Sequence, residues 1–379
     1  MLNGWKNVNV GDICKISTGS KNTQDNVENG KYPFFVRSDK VERINTYSYD
    51  GEAVLTAGDG VGVGKVVHYI NGKFDFHQRV YKMSDFHEVD GKYFYYYFKK
   101  FFYNRVKLMS AKNSVDSVRL DMIRDMIICI PEKIDEQKAI ADILTNVDNL
   151  INLIQNTIEK KKKIKDQAMM ELFDIKNQKY KTITLNQIGY TYSGLSGMNS
   201  SNFTGGNKQY ITFLNILNNP VVKEEFFGKF HCDNIQNKVQ KGDLFFNTSS
   251  ETPEEVAMCA TIDYDVENVY LNSFCFGFRI NDKSVDNKYL AYFFRSQYGR
   301  NIMKTIAQGS TRFNLPKEKF LNYKIQIPAD INRQIEIAEI LSNMDNEIEI
   351  LNIKLDKYKL IKEGMMEDLL TGKVRLNYE

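Results

Sequence analysis

The sequence predicts an α/β protein of two repeated mixed α/β bodies, each followed by a long helix. The two helices are expected to pair as an antiparallel coiled coil, with the repeats related by a pseudo-twofold axis. Three observations predict this. The 379-residue chain repeats itself. Two stretches of about 40 residues carry the alternating three- and four-residue spacing of a coiled-coil seam. The remainder consists of short β-rich runs broken by Gly, Asn and Asp.

The repeat begins at the N-terminus. Trp5-Lys6-Asn7-Val8-Asn9-Val10, running on to Ser17-Thr18-Gly19, matches Tyr180-Lys181-Thr182-Ile183-Thr184-Leu185, running on to Tyr192-Ser193-Gly194, at a shift of 175. DGKYFYYYF from Asp90 matches DNKYLAYFF from Asp286 at 196, and IPEKIDEQKAIADIL from Ile130 matches IPADINRQIEIAEIL from Ile327 at 197. The growing shift places insertions in the loops of the second copy. Four segments result: bodies over 1–134 and 176–330, and helices over 135–175 and 331–379.

In the first body, Val8 to Ile16, Ala53 to Thr56, Val66 to Tyr69 and Arg79 to Met83 read as strands. In the second, Tyr210 to Leu214, Asp243 to Asn247 and Phe274 to Ile280 do so. Helices with aromatic residues all round follow, Tyr93 to Phe102 and Tyr289 to Tyr298. Such a helix could stack bases, but an all-apolar surface is better explained by burial in a core.

The seam of the first long helix runs through Ile140, Leu144, Val147, Ile151, Ile154 and Ile158. That of the second runs through Ile337, Leu341, Met344, Ile348, Leu351 and Leu355, then Tyr358, Met365 and Leu369. A helix of this length spans ~60 Å, more than one body could bury, so the two helices must pack on each other. The run Lys160-Lys161-Lys162-Lys163-Ile164-Lys165 is read as a solvated face.

Composition narrows the function. Hydrophobic residues at 42% and charged residues at 26% describe a globular chain rather than a disordered one. No run approaches a membrane span, and MLNGWKNVNVGDICK lacks the apolar core of a signal peptide, so a cytoplasmic protein with no membrane association is expected. Cys14, Cys129, Cys232, Cys259 and Cys275 show no metal-ligand spacing with the four histidines, and are expected to be reduced and mostly buried. No metal is expected. The formal charge of +3 divides into +4, −2, +4 and −3 over the four segments in order. Two mildly basic bodies between acidic helices would suit a polyanion met at two places.

Catalytic signatures are missing. GDGVGVGK, Gly58 to Lys65, has Asp59 where a Walker loop needs its first glycine and Val66 where it needs Ser or Thr. It also lacks the helix that follows a dinucleotide-binding fingerprint. It reads instead as a flexible loop whose glycines allow a ligand close to the backbone, with Lys65 as a point charge. None of the six prolines precedes Pro or Asp, which removes the Asn-Pro-Pro-aromatic signature of adenine methyltransferases and the Pro-Asp start of a common nuclease motif. His68, His77, His87 and His231 form no HExxH. No catalytic residue is expected.

The repeated joint between body and helix carries a resemblance. Each body ends in Ile-Pro. A helix then starts with Glu136-Gln137 or Arg333-Gln334 and continues with Ala-x-Ile-Leu, at Ala141 to Leu144 and Ala338 to Leu341. Asp148 or Asp345 follows one turn on, and Leu-Leu-Thr-Gly-Lys-Val-Arg runs from Leu369 near the C-terminus. This order, over the whole chain, resembles the DNA specificity subunit of Type I restriction-modification systems. The departures are Arg333 in place of Glu, and Phe173-Asp174 where the second copy has Leu370-Thr371. The resemblance implies a non-catalytic subunit that binds double-stranded DNA. Each body would be a target recognition domain reading one half of a bipartite sequence. The helices would be the spacer and the docking surface for two methyltransferase subunits, joined by restriction/translocase subunits. S-adenosylmethionine would be held by the methyltransferase partners, which methylate adenine N6, and not by this chain. A structural adaptor with two binding modules on a helical rod is the alternative, as is an enzyme with a methylase hidden in one body.

DNA-contacting residues are sought among loop side chains at matching places, since Lys, Arg and Ser hold phosphates while Arg, Asn and Gln read base edges. In the first body they are Arg37, Ser38, Lys65, His77, Gln78, Arg79 and the loop Lys112, Asn113, Ser114 to Arg119. In the second they are Asn215, Asn247, Thr248, Ser249, Asn272 and the loop Gln308, Gly309, Ser310, Thr311, Arg312. The two loops coincide in the repeat, and each precedes the strand that leads into Ile-Pro.

Overall fold

A computed structural model describes residues 4–60, 62–109, 117–174, 179–203, 205–232 and 234–376. The chain forms two compact units, one from residues 1–156 and 352–379, the other from 157–351.

The first unit contains Trp5–Asn9 (β1), Val10–Ile13 (α1), Lys15–Thr18 (β2), Tyr32–Phe35 (β3), Glu42–Ile44 (β4), Tyr49–Ala57 (β5), Val67–Phe76 (β6), Val80–Ser84 (β7), Gly91–Met109 (α2), Leu120–Arg124 (α3), Ile127–Pro131 (β8) and the first part of Ile134–Leu172 (α4). Its main sheet has the order β2-β7-β5-β6-β3-β4. Only β3 and β6 run parallel within it. Alternation along β5 sends Val54 to a core shared with Tyr93, Phe94, Phe98 and Phe102 of α2, and Ala53 and Leu55 to a second core with Phe35, Phe74 and Phe76. The sheet is therefore covered on both faces, and the aromatic helix is core as expected. The strand expected over 8–16 is two strands, because Val10–Ile13 winds into a helical turn that buries Val10 and Ile13.

The second unit contains Tyr180–Thr184 (β9), Leu185–Ile188 (α5), Gly189–Ser193 (β10), Lys208–Ile211 (β11), Phe213–Asn218 (α6), Phe227–Phe230 (β12), Leu244–Asn247 (β13), Ser249–Ser250 (β14), Cys259–Thr261 (β15), Val269–Leu271 (β16), Cys275–Ile280 (β17), Asn287–Arg295 (α7), Gln297–Ile306 (α8), Phe313–Asn314 (β18), Lys317–Leu321 (α9), Lys324–Pro328 (β19) and the first part of Ile331–Leu370 (α10). Its sheets are β10-β17-β13-β15, β12-β11-β16, β14-β18 and β19-β9. The repeat persists in register: Trp5 faces Pro131, and Tyr180 faces Pro328. Two expectations need correction. The strand expected over 210–214 ends at Ile211, because the Thr212 side chain accepts from Asn215 N and starts α6. The second aromatic helix breaks at Ser296, which turns extended and caps α8 through Gly299 N.

Each unit also holds an antiparallel helix pair. In the first, Lys362 meets Asp148 and Arg375 meets Glu136. In the second, Lys165 meets Asp345 and Lys161 meets Glu347. Ile140, Leu144, Leu369 and Leu370 enter the first core, while Phe173, Ile337 and Leu341 enter the second. Phe173 and Leu370 thus play one role in the two copies, which explains how the substitution at that place is accommodated. No helix among the described residues is long and apolar enough to cross a membrane.

Candidate nucleic-acid interface

The matching loops meet in each unit on one hydrogen-bonded frame. In the first, Gly58 N donates to Arg79 O at 2.7 Å, Val118 N to Gly58 O at 2.7 Å and Val80 N to His77 O at 2.9 Å, and Asp59 bridges Ser117. In the second, Thr248 N donates to Phe274 O at 2.9 Å, Leu315 N to Thr248 O at 2.9 Å and Cys275 N to Asn272 O at 3.1 Å, and Ser249 pairs with Asn314. The same backbone bonds recur, so the frame equates Gly58 with Thr248, Asp59 with Ser249, His77 with Asn272, Arg79 with Phe274 and Ser117 with Asn314. Backbone ladder bonds require no particular side chain. The frame can stay fixed while the side chains it presents differ.

On the first frame, Arg37 Nη1 donates to Asp59 Oδ1 at 3.0 Å and Arg79 Nε lies 3.8 Å from Asp59 Oδ2. Asp59 therefore stands between two exposed guanidinium groups. Gln78 is exposed and donates to Asn22 Oδ1. Ser38 is exposed, its Oγ donating to Lys40 O at 3.2 Å. Lys65 is exposed, with Nζ 5.2 Å from the centre of the Tyr103 ring, and Arg119 is exposed at the start of α3. Lys112, Asn113 and Ser114 lie outside the described residues, whereas Ser117 anchors the end of their loop to Asp59.

On the second frame, the hairpin from Gln308 to Asn314 closes through paired backbone bonds of 2.9 and 2.7 Å. It presents Gln308, Gly309, Ser310, Thr311 and Arg312 to solvent. Arg312 Nη2 donates to Ser249 Oγ at 3.2 Å. Thr248 is half-buried. Phe213, Ser249, Glu251, Phe274 and Arg312 border a cleft of about 400 Å³.

Four of the expected residues serve the protein's own backbone or core instead. His77 is 4% exposed, and its Nδ1 accepts from Arg79 N at 2.9 Å. Burial pushes its pKa down, the Arg37 charge adds to the effect and Asp59 opposes it. Asn272 does the same work in the second unit, its Oδ1 accepting from Phe274 N at 2.8 Å. Asn215 is buried, bonded through Nδ2 to Lys223 O and through Oδ1 to Lys223 N. Asn247 is fully buried, its Oδ1 accepting from the Cys275 thiol, while Nδ2 has no partner among the described residues. The glycine loop also differs from expectation. A Cβ on Gly62 would fall 2.4 Å from Arg37 O, so the close approach that its glycine allows is to this chain's own backbone. Asp59 and Phe274 were missed as members of the site, while Ser117 falls within the loop expected over 112–119. Asp59 lay in a stretch read for phosphate loops, and Phe274 read as the start of a strand.

The joint that carries the resemblance is structural. Gln137 and Gln334 are fully buried. Gln137 Nε2 donates to Pro131 O at 2.8 Å and Oε1 accepts from Asp90 N at 2.8 Å. Gln334 repeats this with Pro328 O and Asp286 N, each at 2.9 Å. The glutamine ties the closing strand, the aromatic helix and the long helix together. The five cysteines are free thiols, all buried except the half-buried Cys129. Burial pushes the Cys14 thiol up to about 12. No group of His, Cys, Asp and Glu able to hold a metal lies among the described residues.

Comparison with known proteins agrees with the repeat. Residues 3–165 and 171–358 each match the family described as Type I restriction modification DNA specificity domain. The chain is 23% identical over 415 residues to the Type I restriction enzyme MjaVIII specificity subunit of Methanocaldococcus jannaschii, covering 98% of this chain and 93% of that one. It is 28% identical over 153 residues to the EcoDI specificity subunit of Escherichia coli, covering 40% and 32%. In fold it is similar to the S subunit of a Type I system from M. genitalium, with a TM-score of 0.67 at 15% identity over 100% and 99% of the two chains. A second likeness is to a chain from a study of complex assembly and conformational transition in the type I R-M system, with a TM-score of 0.58 at 12% identity over 97% and 98%.

Proposed function

Because the chain belongs to the Type I restriction-modification DNA specificity family, we propose that its two loop frames read the two halves of a bipartite sequence in double-stranded DNA. The observation that carries this is the recurrence of one backbone frame in both units with different exposed side chains on it. A specificity subunit has no catalysis of its own, and it works by assembling with partner subunits. Two methyltransferase subunits holding S-adenosylmethionine, with restriction/translocase subunits in addition, complete the assembly in this reading. Exposed apolar side chains on the long helices support a docking role for them: Leu153, Ile353 and Leu360 in the first unit are each more than 60% exposed. Phosphates would be held by exposed Lys65, Arg119 and the polar hairpin from Gln308 to Arg312.

The test is exchange of residues 1–134 for the corresponding body of a related subunit, followed by mapping of the adenines methylated by the assembled complex. One half-site changes and the other is retained. Simultaneous change of both half-sites contradicts modular reading. Absence of DNA binding by the assembled complex even at low salt would contradict the nucleic-acid reading altogether.

A further inference from the structure

The two frames differ most at one equivalent position, occupied by Arg79 in the first unit and Phe274 in the second. We propose that this position determines one base of each half-site, Arg79 recognising the O6/N7 edge of a guanine and Phe274 packing on the 5-methyl group of a thymine. This rests on the DNA reading above.

The backbone does not distinguish the two residues. Each carbonyl accepts from the equivalent amide, Gly58 N or Thr248 N, and each N–H is held by a side-chain acceptor two residues earlier, His77 Nδ1 at 2.9 Å or Asn272 Oδ1 at 2.8 Å. The turn is thus fixed by two bonds shared by the units while its side chain is released to solvent. The Arg79 side chain is 66% exposed and Phe274 is 60% exposed. Exposure is ordinary for the charged Arg79; for Phe274 it is not. The Phe274 ring stacks on no other aromatic ring among the described residues, and an aromatic side chain left in water forgoes the burial that Phe276, two residues on, obtains in full.

The surroundings suit two different bases. Asp59 accepts a hydrogen bond from Arg37 and lies 3.8 Å from Arg79 Nε, a charge contact beyond hydrogen-bond distance that leaves the Arg79 side chain open to solvent. A guanidinium left open in this way offers the two-donor fork that matches the paired acceptors of guanine. The equivalent of Asp59 is Ser249, which carries no charge and is engaged by Arg312. Phe213 borders the cleft beside Phe274. An apolar edge of this kind matches the thymine methyl, the one apolar group in the major-groove code.

The experiment uses the complete subunit assembled with its methyltransferase partners, and reads methylated sites by sequencing. Arg79→Ala should relax selection at one guanine of one half-site by about tenfold or more and leave the other half-site intact. Arg79→Lys, which keeps the charge and loses the fork, should relax the same position. Phe274→Ala should relax one thymine in the opposite half-site. Deoxyuridine at that thymine should slow the wild-type complex and have no further effect on Phe274→Ala. Full selectivity in both variants, or relaxation at bases other than guanine and thymine, overturns the assignment while leaving bipartite reading in place. A wild-type complex with no bipartite preference overturns the DNA reading and this inference with it.

Discussion

Asp148 Oδ1 accepts Lys362 Nζ at 2.5 Å, and its other oxygen accepts the Tyr96 hydroxyl at 2.9 Å. In the second unit Asp345 accepts from Lys165 and from the Tyr292 hydroxyl. Asp345 lies 197 residues after Asp148, and Lys165 lies 197 residues before Lys362, so each unit takes its aspartate from one copy of the repeat and its lysine from the other. Asp148→Ala leaves a half-buried lysine and a tyrosine hydroxyl without their acceptor. It should lower stability by about 1–2 kcal/mol, measured as a lower urea midpoint. Lys362→Met added to Asp148→Ala should cost less than the two single effects combined.

Removing the joint glutamine should cost more. Gln334→Ala leaves Asp286 N and Pro328 O buried without partners, for a loss of about 2–3 kcal/mol. Gln137→Ala should match it. Urea unfolding of both variants checks the symmetry of the two joints.

Acid should weaken the first unit through its histidines. Burial depresses the pKa of both His77 and His68. Below the free histidine value of about 6.5 the unfolded chain takes up protons that the folded chain refuses. The stability present above that pH is therefore lost as pH falls toward the folded values. His77→Asn places at this position the residue found at its equivalent, Asn272, and keeps an acceptor for Arg79 N. It should leave stability near pH 8 unchanged and flatten the decline between about pH 6.5 and 5. An undiminished slope would assign the decline to other groups.

Gly194 sits where a Cβ would fall 2.0 Å from Asn272 O, and Gly19 where one would fall 2.0 Å from Phe76 O. Backbone on both sides leaves no flexible side chain to yield. Gly194→Ala should therefore destabilise by about 2–3 kcal/mol and displace the turn that carries Phe274, lowering both the unfolding midpoint and DNA affinity.

Arg312 is exposed and orders its side chain on Ser249. Arg312→Ala should weaken DNA binding by the assembled complex by about 1–3 kcal/mol with relaxed selectivity if it reads a base. A smaller loss with a shallower salt slope is the signature of a phosphate contact. Equilibrium binding over a salt series separates the two.

The duplication and heptad spacing made the long helices and the order of bodies legible, since a seam such as Ile140-Leu144-Ile151-Ile154 is written directly in periodicity. The place of the loop at 308–312 ahead of the closing strand was legible for the same reason, while its expected counterpart at 112–114 lies outside the described residues. What escaped were short-range choices that tertiary bonds decide. Val10–Ile13 lies inside a run read as a strand yet turns helical through Gly11 and Asp12, and Ser296 ends a helix that its counterpart continues. At the site, polarity identified residues near the frame but not their direction. His77 and Asn272 point inward as backbone acceptors, while Phe274, which reads as core, points out. Equivalence between Arg79 and Phe274 could not be seen in their residue types, because only the shared backbone bonds reveal it.

The first unit is assembled from the two ends of the chain, and the second is continuous. During synthesis, which delivers the amino end first, the second reader has all its residues before the first does. The core around Trp5, Ile140 and Leu144 waits for Met366, Leu369 and Leu370, with its apolar face uncovered while some two hundred intervening residues are translated. The last helix to be made is therefore the piece that closes the core of the first unit. A frameshift late in the reading frame should injure the amino-terminal reader before the one encoded nearer to it.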